Sequence, residues 1–137
     1  ISKLHNKDYK FCIITNQSGI GRRYYSANDY KKFMRKLRSE LKNYGLIVEA
    51  EYFCPHTPND NCCCRKPKRG MLVKAISENN YSLKDSIMIG DSLSDMDAAS
   101  RVLIEHRILV TDQQVLYSHH QSTFKDFITL ENILTKI

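Results

Sequence analysis

The feature of this sequence that most constrains its fold is an alternation of short apolar segments with longer amphipathic ones. Apolar and β-branched residues predict strands at 9–14, 46–53, 86–90 and 104–110. Apolar residues at three- and four-residue intervals predict helices at 27–44, 67–76 and 95–101. Because strands that alternate with helices pair in parallel, we expect an α/β fold of three layers, with helices on both faces of a Rossmann-like parallel sheet.

The longest predicted helix has clear ends. Residues 26–29 have the form of a capping box, and Gly45 follows the last apolar position. The basic residues on this helix are best explained as a solvated surface, so the net charge of +6 does not by itself indicate an anionic partner. Six apolar residues recur along the helix and are all expected to face the core: Tyr30, Phe33, Met34, Leu37, Leu41 and Tyr44.

Length and composition indicate one ordinary domain. The chain has 137 residues, 42% of them hydrophobic, without a Pro/Gly/Ser-rich linker, so we expect a single domain over residues 1–137. No apolar run is long enough to cross a bilayer, and no membrane partner is expected. Five cysteines, an odd number, suit a reducing cytoplasm better than a disulfide framework. The chain begins at Ile1 instead of Met, so we expect it to be truncated at its N-terminus.

Four of the five cysteines lie with a histidine in residues 54–64 (CPHTPNDNCCC). One nitrogen and three thiolates form a donor set that tetrahedral structural zinc prefers. We interpret Cys54, His56, Cys62 and Cys64 as a zinc site, with Cys63 pointing away, although Cys63 could replace a neighbour. The alternatives are a reduced surface loop and a local disulfide. A closed four-ligand site leaves no position for water, so this zinc would order a loop and take no part in catalysis.

Polar residues follow three of the predicted strands, at the edge of a parallel sheet where ligands bind. Residues 15–21 (TNQSGIG) offer a hydroxyl, two amides and a backbone loosened by glycine, a suitable nest of donors for a phosphate. Arg65 and Lys66 follow the zinc segment, where one cation could neutralise a phosphoryl group and the other could bind a second phosphate. Asp91 and Asp95 follow the strand at 86–90, where a magnesium ion could be held. Each motif alone is also compatible with an ordinary polar or acidic turn.

Together, a phosphate-binding threonine, a lysine and a metal-binding aspartate at successive strand ends resemble the later motifs of the haloacid dehalogenase-like phosphatases. The resemblance extends over nearly the whole chain. Within that superfamily, the stretch at 15–20, the Cys-Pro-His and Cys-x-Cys-Arg-Lys-Pro pieces, residues 70–72 and Gly90-Asp91 resemble the D-glycero-D-manno-heptose 1,7-bisphosphate phosphatases. This combination is far more specific than any single motif.

The resemblance implies a magnesium-dependent enzyme that removes the C7 phosphate of a phosphorylated sugar during synthesis of a lipopolysaccharide precursor. It implies one aspartate that attacks phosphorus and a second that acts first as an acid and then as a base. Thr15 would donate to the phosphoryl group and Lys66 would stabilise its charge. Asp91 would bind Mg2+, and Asp95 would support the magnesium site without binding the ion directly. The substrate-binding residues implied are Thr15, Asn16, Gln17, Ser18, Arg65 and Lys66, with Arg65 recognising the far phosphate.

The resemblance is incomplete at one point. The nucleophile and the acid/base belong to an Asp-x-Asp motif on a first strand, and no such strand precedes Thr15 here. Asp95-Met96-Asp97 has the spacing, but it runs from Gly90-Asp91 into a helix and is rejected as this pair. We therefore expect the chain to bind zinc but to be inactive or very weak without the missing segment. Truncation is favoured over a degenerate relative because every later motif is intact.

Two other enzymes and one binding protein are alternatives. Histidinol-phosphate phosphatases have a closely similar zinc loop, whereas residues 19–22 and 70–72 favour the heptose enzyme. Polynucleotide 3'-phosphatases use a similar Thr-Asn-Gln-x-Gly-Ile stretch but would not need the cysteine loop. A zinc-stabilised nucleic-acid-binding module, to which Arg22, Arg23, Lys68 and Arg69 would contribute, is disfavoured because the cysteine spacing fits no common nucleic-acid finger. We therefore expect the chain to bind a phosphorylated sugar. We also expect it to be a monomer.

Overall fold

The computed structural model describes residues 9–110 and the backbone of 115–118. The chain divides into two compact units between Arg65 and Lys66. In chain order the elements are β1 (Phe11–Asn16), α1 (Ser18–Gly21), α2 (Ala27–Asn43), β2 (Val48–Cys54), a 3-10 turn (Pro58–Asp60), α3 (Gly70–Asn79), β3 (Ile87–Gly90), α4 (Leu93–Ser100), β4 (His106–Val110) and β5 (Val115–Ser118). The predicted alternation of strands and helices is confirmed up to β4.

In the first unit, β1 and β2 form a parallel pair connected by α2. The strand β1 ends two residues later than predicted, because Thr15 pairs with Phe53 and Asn16 pairs with Cys54 in the ladder. Its six residues are all half-buried. Thr15 and Asn16 therefore belong to the strand itself, and the first zinc-segment cysteine ends the neighbouring strand.

The helix α2 packs through one stripe of its surface. Tyr30 and Met34 are each 3% exposed, and the Tyr30 ring lies 4.5 Å from the Phe53 ring, centroid to centroid. Phe33 and Tyr44, which the sequence assigned to the core, are 60% and 73% exposed. That assignment was wrong because a helix on one face of a sheet buries a limited stripe, and these two residues lie at its margin.

In the second unit, β3 and β4 pair in parallel, and β4 and β5 pair antiparallel. The sequence did not predict β5. The helix α3 begins at Gly70 and not at Pro67, while α4 begins at Leu93, earlier than predicted, because Ser92 and Asp95 form a capping box. The buried apolar residues of this unit include Met71, Leu72, Ala75, Met88, Met96, Ala98, Ala99, Val102, Ile104, Ile108 and Leu109.

The described strands thus form a two-stranded and a three-stranded sheet, each with a parallel pair joined by a helix. This is the α/β arrangement that the sequence predicted. No helix in the described part of the chain has both the length and the hydrophobicity that a membrane crossing requires.

Candidate functional site

Three thiols and one imidazole converge in the first unit. The Sγ of Cys54 lies 3.5 Å from Nδ1 of His56, 3.5 Å from Sγ of Cys62 and 3.2 Å from Sγ of Cys64. All four donor atoms lie within 4.8 Å of one another. Tetrahedral zinc, with ligands at about 2.0–2.3 Å, separates its donor atoms by roughly 3.5–3.8 Å. The cluster therefore suits zinc in both chemistry and spacing and could hold it.

The path of the chain explains why these four residues meet. Cys54 is fully buried at the end of β2, and His56 follows it in the loop. Asn61 has a φ of 47°, which reverses the chain so that Cys62 and Cys64 return toward Cys54. Cys63 is exposed and outside the cluster. The sulfur atoms are far beyond the disulfide bond length of about 2.05 Å, and none of the five cysteines, which all lie within residues 9–110, forms a disulfide.

The three clustered thiols differ in acidity. Burial raises the pKa of Cys54, and burial together with hydrogen bonds to the neighbouring thiols raises the pKa of Cys64 to about 12. Burial also opposes ionisation of Cys62, but the backbone N–H of Arg65 and the thiols of Cys64 and Cys54 outweigh it and lower that pKa to about 7. Because metals bind thiolates, binding of an ion by this cluster would release the protons of the three thiols.

Backbone hydrogen bonds attach the loop after β1 to the start of the cysteine loop. The N–H of Gln17 donates to the Cys54 carbonyl at 2.7 Å, and the N–H of Gly21 donates to the Pro55 carbonyl at 2.9 Å. A Cβ on Gly21 would lie 2.7 Å from that Pro55 oxygen, so only glycine permits this approach. Cys54 therefore connects the candidate metal centre to the candidate phosphate loop.

The same bonds correct one expectation from the sequence. The N–H groups of Gln17, Ile20 and Gly21 already donate to carbonyl oxygens, so the predicted backbone nest for phosphate is wrong at these three positions. The side chains of the loop also carry hydrogen-bond donors. Thr15, Asn16, Gln17 and Ser18 are consecutive and half-buried, and they lie together at the end of β1.

Two side-chain hydrogen bonds order this loop. The Nε2 of Gln17 donates to Thr15 Oγ1 at 2.9 Å, and the hydroxyl of Tyr25 donates to Gln17 Oε1 at 2.6 Å. Sequence reasoning did not identify Tyr25. At the far end of the unit's sequence, Nη1 of Arg65 donates to the His56 carbonyl at 3.3 Å, so Arg65 is attached to the cysteine loop.

The second unit contains a buried ion pair. The Nζ of Lys66 lies 2.6 Å from Oδ1 of Asp95, and the two side chains are 8% and 6% exposed. The other carboxylate oxygen, Oδ2, accepts from the N–H of Ser92 at 3.1 Å. A Cβ on Gly90 would lie 2.6 Å from Cβ of Asp95, so glycine is required where the strand passes this carboxylate. The capping-box spacing from Ser92 to Asp95 is the sequence signal that identifies Asp95.

Asp91 differs from Asp95 in its surroundings. It directly follows β3 and is exposed, whereas Asp95 is committed to Lys66 and to the start of α4. Magnesium is usually held by one or two carboxylates together with substrate phosphate and water, so an exposed carboxylate at a strand end fits this ion. Within residues 9–110, only the Cys/His cluster groups three or more candidate metal ligands.

Comparisons with known proteins find several phosphatases to which this chain is similar. A family model described as polynucleotide kinase 3 phosphatase matches residues 1–134. A D-glycero-beta-D-manno-heptose-1,7-bisphosphate 7-phosphatase of Helicobacter pylori is 38% identical over 120 residues, which are 87% of this chain and 69% of that protein. The D-glycero-alpha-D-manno-heptose-1,7-bisphosphate 7-phosphatase of Campylobacter jejuni is 39% identical over 128 residues, 93% of this chain and 71% of that protein.

A solved structure is also similar. The D,D-heptose 1.7-bisphosphate phosphatase from B. bronchiseptica, complexed with magnesium and phosphate, matches with a TM-score of 0.68 and 34% identity. The match covers 74% of this chain and 56% of that chain, so the present chain spans little more than half of the solved structure. A HAD-like phosphatase from Mesorhizobium loti matches with a TM-score of 0.69 and 25% identity, covering 82% of this chain and 61% of that one.

Proposed function

The chain belongs to the D-glycero-D-manno-heptose-1,7-bisphosphate 7-phosphatase family of haloacid dehalogenase-like phosphatases, and we propose that it takes part in removing the C7 phosphate of a heptose 1,7-bisphosphate. One observation carries this proposal beyond the similarity. Lys66 is buried and fixed at 2.6 Å by Asp95, in the same unit as the exposed Asp91. A fixed ammonium and an exposed carboxylate suit a phosphoryl group and its magnesium ion.

In the first unit, the proposed roles fall to the loop after β1 and to Arg65. The hydroxyl of Thr15 donates to a phosphoryl oxygen, and the polar side chains of Asn16, Gln17 and Ser18 contact the substrate. Arg65 binds the second phosphate of the substrate, for which its planar, forked donors are well suited. Attachment of Arg65 to the His56 carbonyl supports this role, because a tethered guanidinium loses less freedom when it binds.

In the second unit, the proposed roles fall to Lys66 and Asp91. Lys66 stabilises the negative charge of the phosphoryl group, and Asp95 holds the ammonium in place. Asp91 is the proposed magnesium ligand; when bound, magnesium neutralises phosphate charge and polarises the phosphoryl oxygens.

Substituting Asp91 by Asn in the full protein should abolish magnesium-dependent turnover. It should not lower the urea midpoint, because this carboxylate is exposed. Unchanged turnover would remove Asp91 from the site.

The proposal assigns the attacking aspartate to a segment outside the 137 residues. Covalent phosphoryl transfer requires such a carboxylate, and residues 1–14 contain no Asp-x-Asp sequence. Translation of the coding DNA upstream of Ile1 tests this assignment. An in-frame apolar strand that ends in Asp-x-Asp-Gly supports it, whereas an unrelated sequence or a stop codon contradicts it.

We also propose that Cys54, His56, Cys62 and Cys64 bind one structural zinc ion. The convergence of the four donor atoms supports this, and the exposed Cys63 supplies a matched control in the same triplet. Metal analysis of purified protein should find one zinc per chain in the wild type and in Cys63→Ser. Cys64→Ser should lose most of it. Equal zinc content in both variants would contradict the assignment.

Substrate choice is tested by comparing three phosphomonoesters. Heptose 1,7-bisphosphate should be hydrolysed with a higher kcat/KM than histidinol phosphate or a 3'-phosphorylated DNA. The DNA substrate is included because the matching family model is described as polynucleotide kinase 3 phosphatase and because α2 exposes Phe33 and Tyr44 among basic residues. A preference for DNA, with binding that weakens steeply in salt, would favour a polynucleotide phosphatase.

The proposed location is the cytoplasm, and the proposed state is a monomer. Clustered cysteines that form no disulfide framework are typical of a reducing compartment, which supports this location. Cell fractionation tests the location, and recovery of the protein from a disulfide-forming compartment would contradict it. Light scattering tests the monomeric state, and a stable dimer would contradict it.

A further inference from the structure

Two consecutive hydrogen bonds end at the hydroxyl of Thr15. The hydroxyl of Tyr25 lies 2.6 Å from Gln17 Oε1, and Gln17 Nε2 lies 2.9 Å from Thr15 Oγ1. O–H···O bonds are typically about 2.7–2.8 Å long, and N–H···O bonds about 2.9–3.0 Å. The two distances therefore match a tyrosine hydroxyl that donates to the amide oxygen and an amide nitrogen that donates to threonine.

This direction leaves the threonine hydrogen available. A hydroxyl carries one hydrogen and two acceptor positions, so Thr15 Oγ1 can accept from Gln17 while its own hydrogen points elsewhere. With the amide reversed, Gln17 Oε1 would face Thr15 and would accept that hydrogen instead. In the observed orientation the Tyr25 hydroxyl donates to Gln17 Oε1, so Nε2 is directed at Thr15 and the threonine can still donate its own hydrogen.

We propose that Tyr25 and Gln17 are positioning residues that direct the hydroxyl hydrogen of Thr15 toward a phosphoryl oxygen. This inference rests on the proposed function and extends it to Tyr25, which lies outside the 15–21 loop. Tyr25 need not touch the substrate, because it acts through Gln17 and Thr15; Gln17 orients Thr15 in addition to its proposed contact with the substrate.

The surrounding loop holds both residues in place. The backbone N–H of Gln17 is bonded to the Cys54 carbonyl at 2.7 Å, which fixes the base of the amide side chain. The Tyr25 ring lies against Gly19, where any Cβ would overlap it and would come within 2.8 Å of its hydroxyl oxygen. Glycine at position 19 is therefore required for the tyrosine hydroxyl to reach Gln17.

The neighbouring tyrosine provides a matched control. Tyr24 is 75% exposed, whereas Tyr25 is 37% exposed and hydrogen-bonded to Gln17. Tyr24→Phe and Tyr25→Phe remove the same atom from adjacent positions, and each keeps its ring. A difference between these two variants therefore reports the hydrogen bond and not a general effect of the substitution.

The experiment measures kcat and KM of the full protein on heptose 1,7-bisphosphate, together with the shift that inorganic phosphate induces in the NMR signal of the Gln17 side-chain amide. A neutral hydrogen bond contributes about 1 kcal/mol, so Tyr25→Phe should lower kcat roughly fivefold. The change in KM should be smaller, and the phosphate-induced shift should shrink. Tyr24→Phe should match the wild type in all three quantities.

The outcomes separate this inference from the proposed function. If the wild type is active and both tyrosine variants match it in kcat, KM and the phosphate shift, the inference is wrong and the function stands. If the wild type hydrolyses none of the three phosphomonoesters, the proposed function is wrong. The inference then depends on the phosphate shift alone, and an unchanged shift in Tyr25→Phe overturns it.

Discussion

Helices α2 and α4 begin with the same local motif, yet their acidic residues have different surroundings. In α2 the N–H of Ser26 donates to Asp29 at 3.1 Å, and in α4 the N–H of Ser92 donates to Asp95 at 3.1 Å. The Asp29 side chain is 55% exposed and lies 3.8 Å from Lys32. The Asp95 side chain is 6% exposed and lies 2.6 Å from Lys66.

The difference shows that a local motif determines a cap but not the further role of its carboxylate. Lys32 is a neighbour of Asp29 on the same helix, and both groups remain hydrated, so their attraction is weak. Lys66 is distant from Asp95 in sequence, and both groups are removed from water, so each depends on the other. Only the buried pair can hold a cation in a fixed position for a substrate.

Replacing the lysine should give the largest difference in stability loss between the two helices. Lys66→Met leaves the Asp95 carboxylate buried without its cation, which should lower the free energy of unfolding by about 3–5 kcal/mol. Lys32→Met should leave the urea midpoint unchanged within error, because the pair is exposed. Urea denaturation followed by circular dichroism checks both variants. Equal midpoints would show that burial does not distinguish the pairs.

A methyl group added at Gly90 should disturb the Lys66–Asp95 ion pair at α4 and leave the Asp29–Lys32 pair at α2 unchanged. Its Cβ would lie 2.6 Å from Cβ and 2.7 Å from Cγ of Asp95, so the start of α4 must move as well as the carboxylate. Gly90→Ala should therefore lower the free energy of unfolding by about 1–3 kcal/mol. It should also lower kcat, because Lys66 loses its anchor. A wild-type midpoint together with wild-type kcat would contradict this account of the glycine.

Loss of the serine hydroxyl should affect the two helices equally. Ser26 Oγ accepts from the N–H of Asp29, and Ser92 Oγ accepts from the N–H of Ser94, each at 3.1 Å. Ser26→Ala and Ser92→Ala should each lower the free energy of unfolding by about 1 kcal/mol, the usual contribution of an N-cap. A much larger loss in Ser92→Ala would mean that the cap and the buried pair are coupled.

The smallest expected effect is a pH dependence of the stability that Asp29 contributes at the start of α2. Hydrogen bonds from the Ser26 hydroxyl and the Ser26 backbone N–H lower the pKa of Asp29, with a smaller contribution from Lys32. A lowered folded-state pKa contributes stability above the ordinary aspartate pKa of about 3.9, and this stability disappears as the pH falls through the folded value. Urea midpoints of the wild type and Asp29→Asn should therefore differ at pH 6 and converge at low pH. A constant difference would contradict this effect.

The sequence predicted some parts of the molecule better than others, for identifiable reasons. The four residues of the candidate metal centre were named from donor chemistry alone, because few arrangements other than a metal site cluster three thiols and an imidazole. The Ser26 cap and the stop at Gly45 were also predicted, since both depend on adjacent residues. The exposure of Phe33 and Tyr44 was not predicted, because helical periodicity does not determine the width of the buried stripe.

Contacts that no local sequence pattern signals were the least predictable. No sequence pattern paired Tyr25 with Gln17, and none indicated that the N–H groups of Gln17 and Gly21 donate to the Cys54 and Pro55 carbonyls instead of to a phosphate. The strand β5 was missed, since an antiparallel partner for β4 has no local signature as strong as a capping box. In each case the deciding contact joins residues that no local pattern relates.

The sequence by itself determined the alternation of strands and helices up to β4, the ends of α2 and the donor set of the metal centre. These follow from periodicity, capping and ligand chemistry, which act between residues close along the chain. Only the tertiary structure decided that Asp95 is buried against Lys66 while Asp29 stays in water, and that Thr15 belongs to a strand whose neighbour ends in Cys54. The physical reason is that burial depends on which segments pack together, and burial sets the strength of a charge or a hydrogen bond.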